Sequence, residues 1–442
     1  MANTFVVLSA GYTLKNRNGT WRIGNSSDKS GESLDMGQAE AGILMDLFRG
    51  MSLEKAAIFH GRSVDELRAF AEALSVEEVL SRAPVSASSL HRCFPDPHPL
   101  DSVCLLITNR CNLRCQHCYM SSGDGFSREL TGEQWVDVLE QARVLGAVGV
   151  NISGGEPLLH PDFGSIAEYL AHSQYHANLN TNGLLLGDYD MALLKASFDS
   201  IQVSLDDVDA EGHDSFRGRK GAYHKTIRAI RRLVETGIET RVAFVVTPTN
   251  IARLMDMVRL CVQLGVSTLN IGMPVSLGRA KTFTFLPLVG ENGFMLELHK
   301  ESKKLAEGDW GIELLLPFRV DGSSCGVDVE TRLICGGENR QVLYVHADGE
   351  AVPCDKLPVE VFGAGNVRQE SLHEIWHSKK MKSFKHMSPL DLPKCKECDM
   401  LESCGGACVA RAYCESGTLT AADTASCFMA RQCQLDTLNN ER

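Results

Sequence analysis

From Val103 to about Leu315, short apolar runs alternate with amphipathic stretches. Val103–Thr108, Val148–Ser153, Ala177–Thr181, Ser200–Ser204, Thr240–Val246 and Thr268–Met273 have the length and composition of buried strands. Gly132–Leu145, Asp162–Ala171, Tyr189–Ala196, Tyr223–Thr236 and Ile251–Leu264 lie between them with helical spacing of apolar residues. Six β-α repeats of this kind predict an α/β fold, a parallel sheet curled into a partial (β/α)6 TIM-like barrel. In such a fold, ligands collect at the C-terminal ends of the strands.

The flanks are patterned differently. Phe5–Leu8 and Thr20–Ile23 read as the two arms of a hairpin around a polar KNRNG turn, followed by helical stretches at Gln38–Phe48, Ser52–His60 and Val64–Leu74. Ile43, Leu44, Leu47 and Phe48 share one helical face, and Ser52 and Ser63 are candidate N-caps. A hairpin plus three helices predicts a winged-helix-like α+β module over residues 1–95. Ala83–Leu100, with Pro84, Pro95, Pro97 and Pro99, reads as a linker into a barrel over residues 96–315. Residues 316–442 are rich in Gly and Cys with little periodic apolar pattern, so a small core there needs metal to stabilise it.

Composition narrows the function classes. The 442 residues are 44% hydrophobic and 23% charged with a net charge of −12, an ordinary folded composition that disfavours nucleic acid and anionic lipid as partners. Residues 1–95 hold ten Lys or Arg against eleven Asp or Glu, too few for a phosphate-binding wing. No apolar stretch approaches the ~20 residues that span a bilayer. With no Lys or Arg before Lys15, an export signal is not expected, and a reducing cytoplasm is.

The sixteen cysteines fall mostly into two groups. The first is CNLRCQHC, with Cys111, Cys115 and Cys118 just past the first barrel strand. The second runs through Cys325, Cys335, Cys354, Cys395, Cys398, Cys404, Cys408, Cys414, Cys427 and Cys433. Close repeats at these spacings suit thiolates converging on metal centres. Three thiolates hold three irons of a [4Fe–4S] cube and leave the fourth open for chemistry; a zinc site completed by His117 is the alternative.

CNLRCQHC followed by Tyr119 resembles the cluster loop of the radical S-adenosylmethionine (radical SAM) superfamily. SGGEP, Ser153 to Pro157, resembles that superfamily's motif for the methionine amino group of the cofactor. Its glycines admit a close backbone approach, and Glu156 can face an ammonium. NTNG at Asn180–Gly183, VSLDD at Val203–Asp207, FRGRKG and IGMPVSLGRA at Ile271–Ala280 are similar to further landmarks of the same enzymes. The resemblance spans residues 103–280. It implies an open-site [4Fe–4S] cluster on Cys111, Cys115 and Cys118, with S-adenosylmethionine bound by Gly154, Gly155, Glu156, Asn180, Ser204 and Arg217.

The C-terminal cysteines resemble the SPASM extension, which carries two auxiliary [4Fe–4S] clusters, three in all with the first. The resemblance implies one auxiliary cluster on Cys335, Cys354 and Cys408 with Cys325 as fourth ligand, and another on Cys395, Cys398, Cys404 and Cys427; Cys414 and Cys433 are surplus. Asp355 beside Cys354 matches a catalytic base of the sulfatase-maturing branch. The N-terminal module is similar in shape and position to leader-peptide recognition domains, which add an extended peptide to a hairpin edge. The expected activity is a 5′-deoxyadenosyl radical abstracting hydrogen from a ribosomally made precursor peptide and installing a thioether, C–C or C–O cross-link, with a flavodoxin- or ferredoxin-type reductant. A formylglycine-forming sulfatase maturase and a zinc-stabilised winged-helix regulator are the alternatives.

Overall fold

The computed structural model describes residues 5–7, 12–17, 20–25, 33–36, 100–173, 175–282, 293–318, 342–385, 387–404 and 408–440. The chain forms two compact units, Met1–Asp101 with Leu139–Val148, and Ser102–Val138 with Gly149–Arg442.

In the first unit, β1 (Phe5–Val7), β2 (Tyr12–Arg17), β3 (Thr20–Asn25) and β4 (Ser33–Met36) form an antiparallel sheet in chain order. The expected hairpin is corrected in one respect. Thr20–Asn25 turns back on Tyr12–Arg17, with Arg17 opposite Thr20, and Phe5–Val7 is the outer neighbour of β2. Arg17 and Thr20, which face each other, flank the sequence Asn18-Gly19, a dipeptide well suited to hairpin turns. The three expected helices over 38–74 lie outside the described residues.

The second unit is built on a ten-stranded sheet. Its strands are β5 (Ser102–Leu106), β6 (Gly149–Ser153), β7 (His176–Thr181), β8 (Ser200–Ser204), β9 (Glu239–Val245), β10 (Thr268–Gly272), β11 (Glu313–Leu315), β12 (Val342–Val345), β13 (Glu350–Val352) and β14 (Gly365–Asn366). The order is β11-β10-β9-β8-β7-β6-β5-β12-β13-β14. Pairing from β5 to β11 is parallel throughout, as helical crossovers require. This is the partial (β/α)6 arrangement read from the six repeats.

Strand β12 pairs parallel with β5, Val342 opposite Ser102, and β13 returns antiparallel. The Cys-rich segment thus continues the barrel sheet, and because β13 runs opposite to β5, the chain leaving β13 heads for the end of the sheet where β5 begins.

Burial explains the strand sequences. β5 is buried along nearly its whole length, which a continuous apolar run supports; β7 and β9 alternate. The half-buried polar residues of the alternating strands bond to one another: Gln202 Nε2 donates to Asn180 Oδ1 at 3.1 Å, and Asn270 Nδ2 to Gln202 Oε1 at 3.1 Å. Ser200 Oγ donates to Asn178 Oδ1 at 2.6 Å. A polar ladder therefore crosses β7, β8 and β10 while Leu179, Ile201, Val203 and Phe244 fill the core. Among the described residues, no helix is long and apolar enough to cross a membrane.

Phe244 is wholly buried on β9. Phe244→Ala should lower apo-protein stability by about 3–5 kcal/mol in urea denaturation; a shift below 1 kcal/mol would contradict this core.

Candidate active site

The loop carrying Cys111, Cys115 and Cys118 leaves β5 and has almost no secondary structure of its own, so its backbone groups need partners elsewhere. Three segments supply them. The first extends the β5–β6 pairing: Ile107 N–H donates to Ser153 O, Gly155 N–H to Thr108 O at 2.7 Å, and Glu156 N–H to Arg110 O at 2.8 Å. Approach is so close that a Cβ on Gly155 would stand 2.3 Å from Arg110 O, and one on Gly154 2.4 Å from Thr108 O. The glycines of SGGEP thus first serve contact between two backbones.

The second segment is the helix Ala210–Arg217, capped by Asp209, whose side chain accepts from Gly212 N–H. Its last carbonyls have no intrahelical donors, and the loop provides them. Gln116 Nε2 donates to Ser215 O, Gln116 N–H to Phe216 O and Arg114 N–H to Arg217 O, at 3.0–3.2 Å. FRGRKG is therefore a helix end, not a free turn. The third segment is LGRA. Arg279 N–H donates to Cys118 O at 3.0 Å, its Nε to Cys115 O at 2.8 Å and its guanidinium to Ser122 O at 3.1 Å. Gly278, at φ +56, lies where a Cβ would be 2.2 Å from Tyr119 O.

Glu129 braces the loop's base. Its carboxylate accepts from Thr108 Oγ1 at 2.7 Å, Asn109 N–H at 2.8 Å and Phe126 N–H at 3.1 Å. Glu129 carries no motif signature in the sequence; Arg279 lies in the IGMPVSLGRA landmark, which marked the segment but not this contact.

Inside this frame the three thiols face one another against Leu113, Leu184 and Ala222. Burial pushes Cys111 up to about 11, with Cys115 and Cys118 adding like-charge repulsion. Thiolates there need a positive centre, and the residues fit one. Among the described residues no three His, Cys, Asp or Glu side chains converge tightly enough for a single ion. An iron–sulfur cube asks for a wider triangle, each thiolate taking its own iron. His117 is half-buried and stacked on Phe216 at 4.7 Å, and desolvation lowers it to about 4, so it is neutral at pH 7.

Arg217 reaches Cys115 Sγ at 3.5 Å and pairs with Asp206 at 2.5 Å, both side chains almost wholly buried. Burial opposes the charge on each, but the pair outweighs it: Asp206 is held below and Arg217 above its ordinary value. A fixed cation therefore sits beside the thiols, where the carboxylate of a cofactor or the charge of a cluster would meet it.

Glu156 is fully buried and faces its own chain. Oε1 accepts from Thr181 Oγ1 at 2.7 Å and Leu158 N–H at 3.2 Å, and Oε2 from Asn182 N–H at 2.8 Å. Asn182 in turn donates to Asn112 Oδ1 at 2.7 Å, joining NTNG to the thiol loop. Burial raises Glu156 to about 7 against these donors. Asn180 sits in the polar ladder, and Ser204 is half-buried at the end of β8.

In the C-terminal segment Cys395 is raised by burial and then by Cys427, Cys404 and Cys398, so these four thiols are neighbours. Cys354 neighbours Cys408, and Cys408 neighbours Cys414. Cys325 and Cys335 lie outside the described residues. Asp423 fixes the Cys408 backbone by accepting its N–H at 3.2 Å while paired with Arg411. Tyr119 Oη donates to Asp355 Oδ2 at 2.5 Å, tying the residue after the thiol loop to the one after Cys354.

Residues 105–261 match the radical SAM superfamily, and residues 335–399 match the SPASM iron–sulfur cluster-binding domain. The sporulation killing factor maturation protein SkfB of Bacillus subtilis (strain 168) is 30% identical over 277 residues, 62% of this chain and 64% of SkfB. The chain thus spans just under two thirds of that relative. The AdoMet-dependent heme synthase of Methanosarcina barkeri is 29% identical over 70% of this chain and 91% of the synthase. The crystal structure of Streptococcus suis SuiB bound to precursor peptide SuiA superposes with a TM-score of 0.71 at 16% identity, covering 96% of this chain and 99% of SuiB.

Two outcomes follow from this geometry. Asp206→Asn strands a buried guanidinium, so apo-protein stability should fall by about 3–5 kcal/mol in chemical denaturation, and an unchanged midpoint would refute the pairing. Glu156 binds its proton more tightly folded than unfolded, so its contribution is full below about pH 4.5 and is lost as pH rises through about 7. The stability of wild type minus that of Glu156→Gln should decline across that window; a flat difference would show Glu156 ionised throughout.

Proposed function

We propose that this chain, which belongs to the radical S-adenosylmethionine superfamily and carries a SPASM iron–sulfur domain, modifies a ribosomally synthesised precursor peptide by radical chemistry. The observation that carries the reading is the thiol triad of Cys111, Cys115 and Cys118, held by three separate backbone clamps with a buried arginine beside it. S-adenosylmethionine bound at a reduced [4Fe–4S] cluster supplies a 5′-deoxyadenosyl radical able to take hydrogen from an unactivated C–H bond.

The chain's own residues hold and orient. Cys111, Cys115 and Cys118 take three irons. Arg217 offers its guanidinium to the cofactor carboxylate, and the Gly154–Glu156 turn, Asn180 and Ser204 line the strand ends around it. Glu156 acts chiefly by fixing Thr181 and Asn182. Cys395, Cys398, Cys404 and Cys427 hold one auxiliary cluster; Cys354 and Cys408, with Cys335 and Cys325, hold another, three clusters in total. Asp355, hydrogen-bonded to Tyr119, is the candidate base toward the substrate.

The four-stranded sheet of the first unit has β1 and β4 at its edges, and an extended leader peptide adds to such an edge through backbone hydrogen bonds. A flavodoxin- or ferredoxin-type protein supplies electrons, and a reducing cytoplasm keeps the thiols available. Cross-linking by a thioether, C–C or C–O bond is the favoured outcome. A porphyrin-type substrate is the second reading, favoured by the heme synthase, which aligns over 91% of its own length.

Anaerobically reconstituted protein should bind about twelve irons and cleave S-adenosylmethionine to 5′-deoxyadenosine. Cys115→Ala should abolish cleavage and keep about eight irons; a variant that still cleaves would sink the site assignment. Co-expression with a short neighbouring reading frame, followed by peptide mass spectrometry, should show a loss of two hydrogens; an unmodified peptide with a consumed porphyrin would establish the second reading.

A further inference from the structure

The C-terminal domain carries a groove that none of the assignments above uses. Pro353, Val361, Phe362, Phe384 and Leu419 line a cavity of about 230 Å³, with Lys380 at its side. Val361 is 52% exposed, so apolar surface reaches solvent. The cavity wall lies close to two thiol groups. Phe362, Phe384 and Leu419 belong to the same apolar cluster as Cys354, Cys395 and Cys408, and Pro353 precedes Cys354 directly.

Charge gives the groove its second property. Its border, Lys379–Lys385, exposes Lys379, Lys380 and Lys382, and no Asp or Glu occurs between Glu374 and Asp391. Lys380 Nζ donates to Gly363 O at 2.7 Å, which holds its charge at the groove's edge. Three exposed lysines against Glu360, which is exposed beside Val361, leave the rim net positive on a chain of net charge −12. An apolar floor with a cationic rim, one side chain away from a redox site, matches a transient electron-transfer interface: small, weakly apolar and steered by charge.

We propose that this groove docks an acidic one-electron carrier protein, which passes its electron to the site held by Cys354 and Cys408. The carrier is oxidised by one electron, the acceptor site is reduced by one, and no bond or proton is exchanged. The proposal rests on the iron–sulfur reading of those cysteines. An apolar substrate side chain would not require the lysine rim.

The test uses the full reconstituted protein and an acidic flavodoxin in its hydroquinone state, mixed by stopped flow. Iron content is measured first: iron-free protein refutes the cluster reading, whereas iron-loaded protein tests docking alone. The wild-type second-order rate should fall about tenfold between low and physiological salt. Lys379→Glu/Lys380→Glu/Lys382→Glu should slow it about tenfold at low salt and remove the salt dependence, with reduction by dithionite unchanged. The Lys→Arg triple should keep the wild-type rate. Independently of any variant's folding, excess poly-glutamate should slow the flavodoxin reaction of wild type but not the dithionite reaction. A charge-reversed protein as fast as wild type, or no competition by poly-glutamate, would overturn the proposal.

Discussion

Unpaired backbone is the constraint on which this site depends. A loop of about fifteen residues that must present three thiols inward cannot fold its N–H and C=O groups into a helix or strand, and leaving each buried group unpaired costs about 1–3 kcal/mol. The chain meets the cost with partners from three distant places: the Ser153–Glu156 turn, the end of the helix Ala210–Arg217, and Gly278–Arg279. Each lies just beyond a barrel strand, so closure of the sheet assembles the clamp. The loop in turn satisfies carbonyls that the helix Ala210–Arg217 would otherwise leave unpaired.

Fixed charge is used sparingly and in one pattern. Asp206–Arg217 and Asp423–Arg411 are both buried pairs, each beside a cysteine of one of the two groups. A buried pair contributes little net stability, but it fixes a side chain firmly because either partner alone is costly. In the first pair the arginine is turned toward Cys115; in the second the aspartate holds the backbone of Cys408. The same physics delivers a cation beside a thiol in one case and a fixed cysteine backbone in the other.

The sheet joins the two metal-bearing regions. Strand β12 pairs with β5, and the Tyr119–Asp355 hydrogen bond ties the residue after the thiol loop to the one after Cys354.

Much of this was legible in the residues. Apolar runs of strand length marked β5 to β10 within one or two residues, because β5 is an almost unbroken apolar run and β7 and β9 alternate with a period of two. Cysteine spacing announced the loop, since metal ligation constrains neighbours in the chain. The pairing of Phe5–Val7 with β2, the helical state of Ala210–Arg217, and the parts played by Glu129, Arg279 and Asp206 were decided by tertiary structure alone. Glu129 and Arg279 take partners 21 and 164 residues away, and a hydrogen bond across that distance leaves no period or spacing in the sequence. Glu156 shows the division most clearly: its motif marked the position, but only the fold turned its carboxylate onto Thr181 and Asn182.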